Sequence, residues 1–255
     1  MKKTLNFDTQ ASYDAIKNSL EYPTITYIKE TDIMYIMQPS LYDYVDLGLS
    51  VKWAAWNVGA TKPEEYGLYF AWGETQGYNV YNVEGSYSGT ITDANGNETD
   101  KKFEPSYYEF SIDGSGSNLS KYNSTDGLTT LEQSDDAAYQ YDNTCRMPTS
   151  DECQELINNT TSAWTTDYNG SGISGVVLTS KVEGYTDKSI FLPAAGGCDG
   201  TNISGGRYSG NYWSSSLHNE QKTSGHFLFI STGNVVNAYG FRYYGFKIRA
   251  VLPKP

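Results

Sequence analysis

The chain holds two histidines, His218 and His226, and a run of three serines, Ser214–Ser216, just ahead of them. With one of its 30 Asp and Glu residues these supply the atoms of a nucleophilic triad, in which a base takes the serine proton and a carboxylate orients the base. The spacing does not support that chemistry. No GxSxG elbow lifts a serine from a strand end, and paired carboxylates for glycoside hydrolysis can be drawn from any chain this acidic. Walker and HExxH patterns are absent from the sequence, which leaves no P-loop and no zinc-protease helix. Asp93, Asn95, Asn97, Thr99 and Glu104 imitate the ligand spacing of a calcium loop. The sixth position, where glycine makes the sharp bend, is Glu98. Asn95-Gly96 is read instead as a type I′ hairpin turn. The expectation is a chain that is not an enzyme and uses no metal or cofactor.

Cys145, Cys153 and Cys198 are far apart and odd in number, which fits small buried hydrophobes and neither a zinc site nor a disulfide framework. One bridge from Cys145 to Cys198 or Cys153 stays open at this stage.

Composition points toward recognition. The net charge is −12 and charged residues make up 19% of the chain, so phosphate backbones and anionic lipid lack the clustered Lys and Arg they require. Twenty-three tyrosines are more than a core needs, and tyrosine supplies large amphipathic contact area at low rotamer cost. The N-terminus, MKKTLNFDTQ, has no apolar run after its lysines, so neither a signal peptide nor a membrane span is expected.

Several elements must position such a surface. Tyr13, Ile16 and Leu20 recur at helical spacing, which predicts a helix over Phe7–Leu20. Two strands, Thr24–Lys29 and Ile33–Met37, follow as a hairpin. These residues, 1–40, form a small module too short to bury much by itself, which predicts docking or oligomerisation. Residues 41–255 form the main domain. Strands are predicted at Tyr42–Leu47, Val51–Asn57, Gly67–Trp72, Trp164–Tyr168, Gly175–Ser180 and Ser189–Leu192, with Trp53, Trp56 and Trp72 in the core. A Gly/Ser/Asn-rich insert spans 77–120. Thr130–Tyr141 predicts a short helix, and Thr149 with Glu152 three residues on is a capping box for a helix over Thr149–Asn158. The stretch Gly205–Val251 then carries three strands, Gly225–Ser231, Asn234–Tyr239 and Gly245–Leu252. In the last, Phe246, Ile248 and Ala250 share one face and Lys247 and Arg249 the other, as in a half-buried strand.

The blocks YVDLGLSVKWAAWNVGATKPEEYGLYFAWGET (44–75), CRMPTSDECQELI (145–157), SIFLPAAG (189–196), YWSSS (212–216) and RYYGFKIRAV (242–251) stand in this order. In this the chain resembles the Fibrobacter succinogenes major paralogous domains of Bacteroidetes and their phages. Many of these are target proteins of diversity-generating retroelements. The resemblance implies an α+β, C-type-lectin-like fold, with two helices flanking twisted antiparallel sheets and a variable region at 197–250. It implies a receptor-recognition protein of a phage tail or surface fibre, with a carbohydrate-binding surface adhesin of a Bacteroidales bacterium as the alternative. The expected partner is a host cell-surface protein or glycan, bound without nucleic acid or membrane insertion, by a chain trimerised through its N-terminal module. Glu-Pro-Asn and Trp-Asn-Asp motifs are absent, so no calcium-sugar site is expected.

Ligand contacts are expected where scaffold needs do not explain the side chain. These are Arg207, Ser209 and Asn211 before the YWSSS block, and His218, Asn219 and Gln221 in the next loop. His226, Phe227, Phe229 and Ser231 follow on the strand, with Ala238, Tyr239, Gly240 and Phe241 in the last segment. Trp213, Ser214, Ser215, Leu228, Ile230, Phe246, Ile248 and Arg249 are read as scaffold. Phe227 and Phe229 face away from Leu228 and Ile230, so one pair is core and the other is exposed or covered by a loop.

Overall fold

The computed structural model describes residues 3–7, 24–28, 33–37, 41–82 and 89–254, and the chain divides into two compact units, Met1–Leu41 and Tyr42–Pro255. In the first, β1 (Lys3–Phe7), β2 (Thr24–Ile28) and β3 (Ile33–Met37) make a three-stranded sheet in that order. The predicted hairpin is there, with Thr24 opposite Met37 and Ile28 opposite Ile33. Strand β1 runs parallel to β2, which the sequence did not reveal. The predicted helix lies outside the described residues from Asp8 onward, and Phe7 ends β1.

The second unit is built from short strands: β4 (Tyr44–Val45), β5 (Val51–Ala54), β6 (Tyr78–Asn82), β7 (Gly89–Asp93), β8 (Thr160–Thr165), β9 (Gly175–Ser180), β10 (Ser189–Pro193), β11 (Gly197–Asp199), β12 (Asn202–Ser204), β13 (Ser209–Leu217), β14 (Ser224–Ser231), β15 (Asn234–Phe241) and β16 (Val251–Pro253). They pair into five small antiparallel sheets, ordered β10-β9-β8, β11-β12, β13-β14-β15, β16-β5-β4 and β6-β7. Two α-helices occur among the described residues, α1 (Ala137–Tyr141) and α2 (Ser150–Asn159). Helix α2 is closed by the predicted box: Thr149 Oγ1 accepts from Glu152 N, and Thr149 N donates to Glu152 Oε2.

The expected α+β, C-type-lectin-like architecture is therefore corrected. Strand accounts for 38% of the structure and helix for 12%, and no pair of helices flanks a continuous sheet. The reason is local. Turn-forming residues interrupt the chain every few positions, so strands end before a broad sheet can form, and of the two capped helices only α2 is longer than five residues.

Two cores result. One gathers Phe70, Trp72, Phe103, Tyr122, Trp213 and Phe246; the other gathers Leu47, Trp53, Leu156, Leu178, Leu228 and Ile230. Trp53 and Trp72 are core as expected, and Trp56 packs at the edge of the first. All three cysteines are free and buried, which closes the disulfide question. The insert does more than loop over the surface: Phe103, Tyr108, Phe110 and Leu119 enter the first core.

The predicted strand Gly245–Leu252 is the clearest departure. Only its end is a strand, because residues 245–247 form single bridges to three separate neighbours: Cys198 to Gly245, Phe70 to Phe246 and Tyr212 to Lys247. Both of its faces are covered, so Lys247 and Arg249 are fully buried. Arg249 donates to Asn57 Oδ1 at 2.9 Å, Ala54 O at 3.0 Å, Ala55 O at 2.9 Å and Phe191 O at 2.8 Å. Arg249→Met should therefore lower the urea midpoint, by about 2–4 kcal/mol of stability, because four acceptors lose a charged donor inside the protein. An unchanged midpoint would count against this role.

Burial also sets an alkaline limit. It pushes Tyr78 and Tyr122 up to about 12 from an ordinary 10.0, and Cys145 and Cys198 up to about 12 from 9.0. Each stabilises the fold fully below its ordinary value, and the contribution is lost as pH climbs toward the folded value. Arg249, lowered to about 10 by burial, works in the opposite sense but is outnumbered. Urea midpoints should fall between neutral pH and about pH 11, with tyrosinate absorbance in the native state lagging that of the unfolded chain.

Candidate ligand-binding face

Strands β13, β14 and β15 fold back on one another through the hydrophobic alternation of β14. Register then fixes what shares a face. Ser209 lies opposite Ser231, Asn211 opposite Phe229, and Trp213 opposite Phe227. On the other side of β14, Ser231 lies opposite Asn234, Phe229 opposite Val236, and Phe227 opposite Ala238. Paired residues point the same way and alternate ones share a side. The front face therefore carries three rows: Ser209–Ser231–Asn234, Asn211–Phe229–Val236 and Trp213–Phe227–Ala238. The back face carries Tyr212, Leu228, Ile230 and Val235 against the second core. Helix α2 adjoins it, and Asn237 Nδ2 donates to Ser150 O at 3.0 Å.

The front face is closed at one end and open at the other. Phe227, 9% exposed, is wedged between Trp213 at 5.8 Å and Phe246 at 4.8 Å, edge to face in both cases. It belongs to the core, and its candidacy as a contact is corrected: the row it occupies is the one Phe246 covers. Phe229 packs partly against the same core. Beyond it the rows open, with Val236 45% exposed and Asn234 exposed. Both pairs of the either-or expectation, Phe227/Phe229 and Leu228/Ile230, thus pack against a core, one pair per core, and only the end of the sheet is free.

An aromatic corner lies past the closed end, where Phe241 pairs with Ser224 at the other end of β15 from Asn234. Phe241, 45% exposed, stacks on Tyr243 with centroids 5.2 Å apart and planes 10° apart. Tyr244 meets both edge-on, at 5.8 and 4.9 Å, and reaches Phe246 at 6.0 Å. Tyr244, Asn211, Ser209 and Asp199 line a concavity of about 300 Å³. Asn211 Oδ1 is buried there without a hydrogen-bond partner. Burial raises the Tyr243 hydroxyl to about 12 and raises Tyr244 as well, so both are neutral donors at physiological pH.

The remaining expected contacts lie elsewhere. His218, His226 and Tyr239 cluster at the far end of the back face, with His218 to Tyr239 at 4.2 Å and His218 to His226 at 5.1 Å. Asn219 and Gln221 are exposed in the adjoining loop, where Gln221 N donates to His218 Nδ1 at 3.0 Å. Ala238 and Gly240 are partly buried on β15; a side chain at Gly240 would press on Phe227 and Phe246. Arg207 lies on a loop facing a different cavity. Tyr243, Tyr244, Val236 and Asn234 were not anticipated. The adjacent tyrosines of RYYG were the available signal, hidden because they stood inside a scaffold block.

The structure assembles no triad. Ser214 Oγ donates to His226 O, Ser215 Oγ donates to Pro148 O, and Ser216 Oγ accepts from Ser150 N. The hydroxyls thus hold backbone groups. Asp93 likewise accepts from Asn95 N, Asn97 N and Asn97 Nδ2 to form a hairpin tip. No group of three or more His, Cys, Asp or Glu residues able to hold a metal ion occurs among the described residues. No described helix is long and apolar enough to cross a membrane.

No family model, curated protein or solved structure matches this chain. The face must be interpreted from its own chemistry.

The histidine cluster gives a direct check. The His226 imidazole is held below its ordinary value of 6.5, first by burial and then by His218. A base lowered on folding opposes the fold when protonated, so this region loses stability as pH falls below about 6.5. His218→Ala should raise the His226 value toward the ordinary one without reaching it, since burial remains. NMR titration of the imidazole protons reads this, and an unmoved His226 would show that His218 exerts no influence.

Proposed function

We propose that this chain is a non-enzymatic recognition protein that grips a host cell-surface protein or glycan with the open end of its front face. The observation that carries the reading is the juxtaposition of three features. A rigid aromatic corner (Phe241, Tyr243, Tyr244) reaches, through Tyr244, a small concavity that Ser209 and Asn211 line from a fixed strand, with Ser231 opposite Ser209 and the acceptor Asn211 Oδ1 unsatisfied. Rigid aromatics contribute contact area with little entropy to lose, and a hydroxyl and amide rim adds specificity. An unpaired buried acceptor has a standing preference for a donor from outside. Side chains of the open rows are displayed by strands whose other residues fix the sheet, so they can change without unfolding it. That is the property required of a diversified target protein, and the resemblance of the five sequence blocks gives the address we favour, a phage tail or surface fibre.

The test uses the labelled full chain on intact cells from a panel of Bacteroidales isolates, scored by flow cytometry. Phe241→Ala and Asn211→Ala should each weaken staining of any positive isolate by about tenfold or more. Ile112→Ala, exposed in the insert, should leave it unchanged, and thermal melts should match. Equal staining by all three variants would refute the assignment. Sequencing the locus in related isolates should find changes at 209, 211, 231 and 241 while Trp213, Phe246 and Arg249 persist.

A further inference from the structure

The cavity that Arg207 faces measures about 630 Å³, inside the size range of small-molecule sites. It is lined by Glu65, Tyr66, Asn79, Tyr81, Arg207 and Lys247, among others. The loop 203–209 separates it from the concavity of the front face: Ile203, Gly206 and Arg207 line one side, and Ser204, Gly205 and Ser209 the other.

Its charge runs against that of the chain. Net charge is −12 overall, yet the cavity brings together Arg207, Lys247 and one carboxylate; burial holds the Lys247 ammonium well below its ordinary value, so the positive charge rests on Arg207. That carboxylate is already engaged: Glu65 Oε2 accepts from Thr61 N at 2.8 Å and Thr61 Oγ1 at 3.1 Å. Lys247, at the floor, donates to Gly67 O at 2.8 Å and lies 3.0 Å from the centre of the Tyr69 ring. Arg207 forms no ion pair among the described residues. It takes a left-handed backbone, φ 72°, which a non-glycine residue adopts only when its surroundings hold it there, and such strain concentrates at functional sites. The holding contact is Arg207 N to Ala194 O at 2.8 Å. Tyr66 lines the same cavity as Arg207. Tyr81, 56% exposed, offers an open ring face, and Asn79 is fixed by Nδ2 to Asp93 O at 3.1 Å.

We propose that this cavity is a second binding site, for a monosaccharide-sized polyhydroxy carboxylate such as a hexuronate. Its carboxylate pairs with the Arg207 guanidinium, which forks onto such groups. Its ring lies against a tyrosine face, and its hydroxyls meet the Asn79 amide and the Tyr66 hydroxyl. The site stands whether or not the front face binds a receptor.

Saturation-transfer NMR on the full chain tests it with glucuronate, glucose and benzoate as probes. Glucuronate should bind, with glucose and benzoate at least about tenfold weaker, and added salt should weaken it. Arg207→Gln should reduce glucuronate binding about tenfold with an unchanged melt, and Tyr81→Ala should reduce it as well. Phe241→Ala, at the front face, should leave it intact. Equal binding of glucose, preference for benzoate, an unaffected Arg207→Gln variant, or no transfer at millimolar probe would each overturn the proposal. Loss in Phe241→Ala alone would move the sugar to the front face and overturn it too.

Discussion

Three cations within eight residues, Arg242, Lys247 and Arg249, are fully buried, and the second unit is organised around keeping them satisfied. A buried charge is strongly unfavourable unless its donors are met. Among the described residues none of the three pairs with a carboxylate; carbonyl oxygens and ring faces do the work. Arg249 binds carbonyls from β5, its following turn and β10, while Lys247 reaches Gly67. Arg242 donates to Tyr108 Oη and to carbonyls of Lys121, Tyr122 and Lys222, and lies between 4.8 and 5.7 Å from the rings of Trp72, Tyr108, Phe110 and Tyr122. Apart from Tyr108 Oη and Asn57 Oδ1, the acceptors are backbone atoms whose positions depend on path rather than side-chain identity. The C-terminal stretch thus reads the course of the chain and locks segments that are distant in sequence.

This arrangement explains why the segment 242–250 is not a regular strand. A ladder would commit its amides to two neighbours, whereas here they bridge several. Trp213 joins the same network, donating Nε1 to Phe70 O at 2.9 Å, and Trp72 Nε1 reaches Ser214 O at 2.8 Å. The sheet β13-β14-β15 is held from both sides by these contacts and by α2, which leaves only its open end free of scaffold duty.

What the sequence made legible follows from range. The capping box of α2, the hairpin around Asn95-Gly96 and strands β9, β14 and β15 rest on contacts within a few residues, and they were found, although the turn is not the expected type I′, since Gly96 has a positive φ and Asn95 does not. The alternation of Phe227 and Phe229 against Leu228 and Ile230 was correct, but alternation does not say whether a second core covers the other face. That depends on Phe246 and the insert, which arrive from far away in the chain. Lys247 and Arg249 were placed on one side by the same period, and nothing local signals that carbonyls would enclose them. The architecture implied by resemblance failed for a related reason: short blocks preserve local motifs, whereas the layering of helices and sheets depends on how many strands join, which those blocks do not specify. At the candidate face, Ser209 and Asn211 line one concavity and Phe227 is buried, whereas Tyr243 and Tyr244 were not singled out because scaffold and surface alternate within one strand-like run.

That alternation is the property that lets one structure both stay folded and present a changeable surface. In β14 successive residues belong to different cores, and rows along the front face pass from buried Phe227 to half-covered Phe229 to open Ser231 over four residues. Substitution tolerance therefore changes over less than 15 Å of strand, at about 3.4 Å per residue. A large side chain at Phe227 is fixed by Trp213 and Phe246, whereas at Ser231 it meets only neighbours across the strands. Stability resides in the buried cations and indoles, which meet the open rows only through backbone bonds such as Lys247 N to Asn211 O at 3.0 Å, so a change of side chain in the open rows leaves those bonds in place. A surface built this way can exchange its contact residues while the carbonyl network that positions them remains intact.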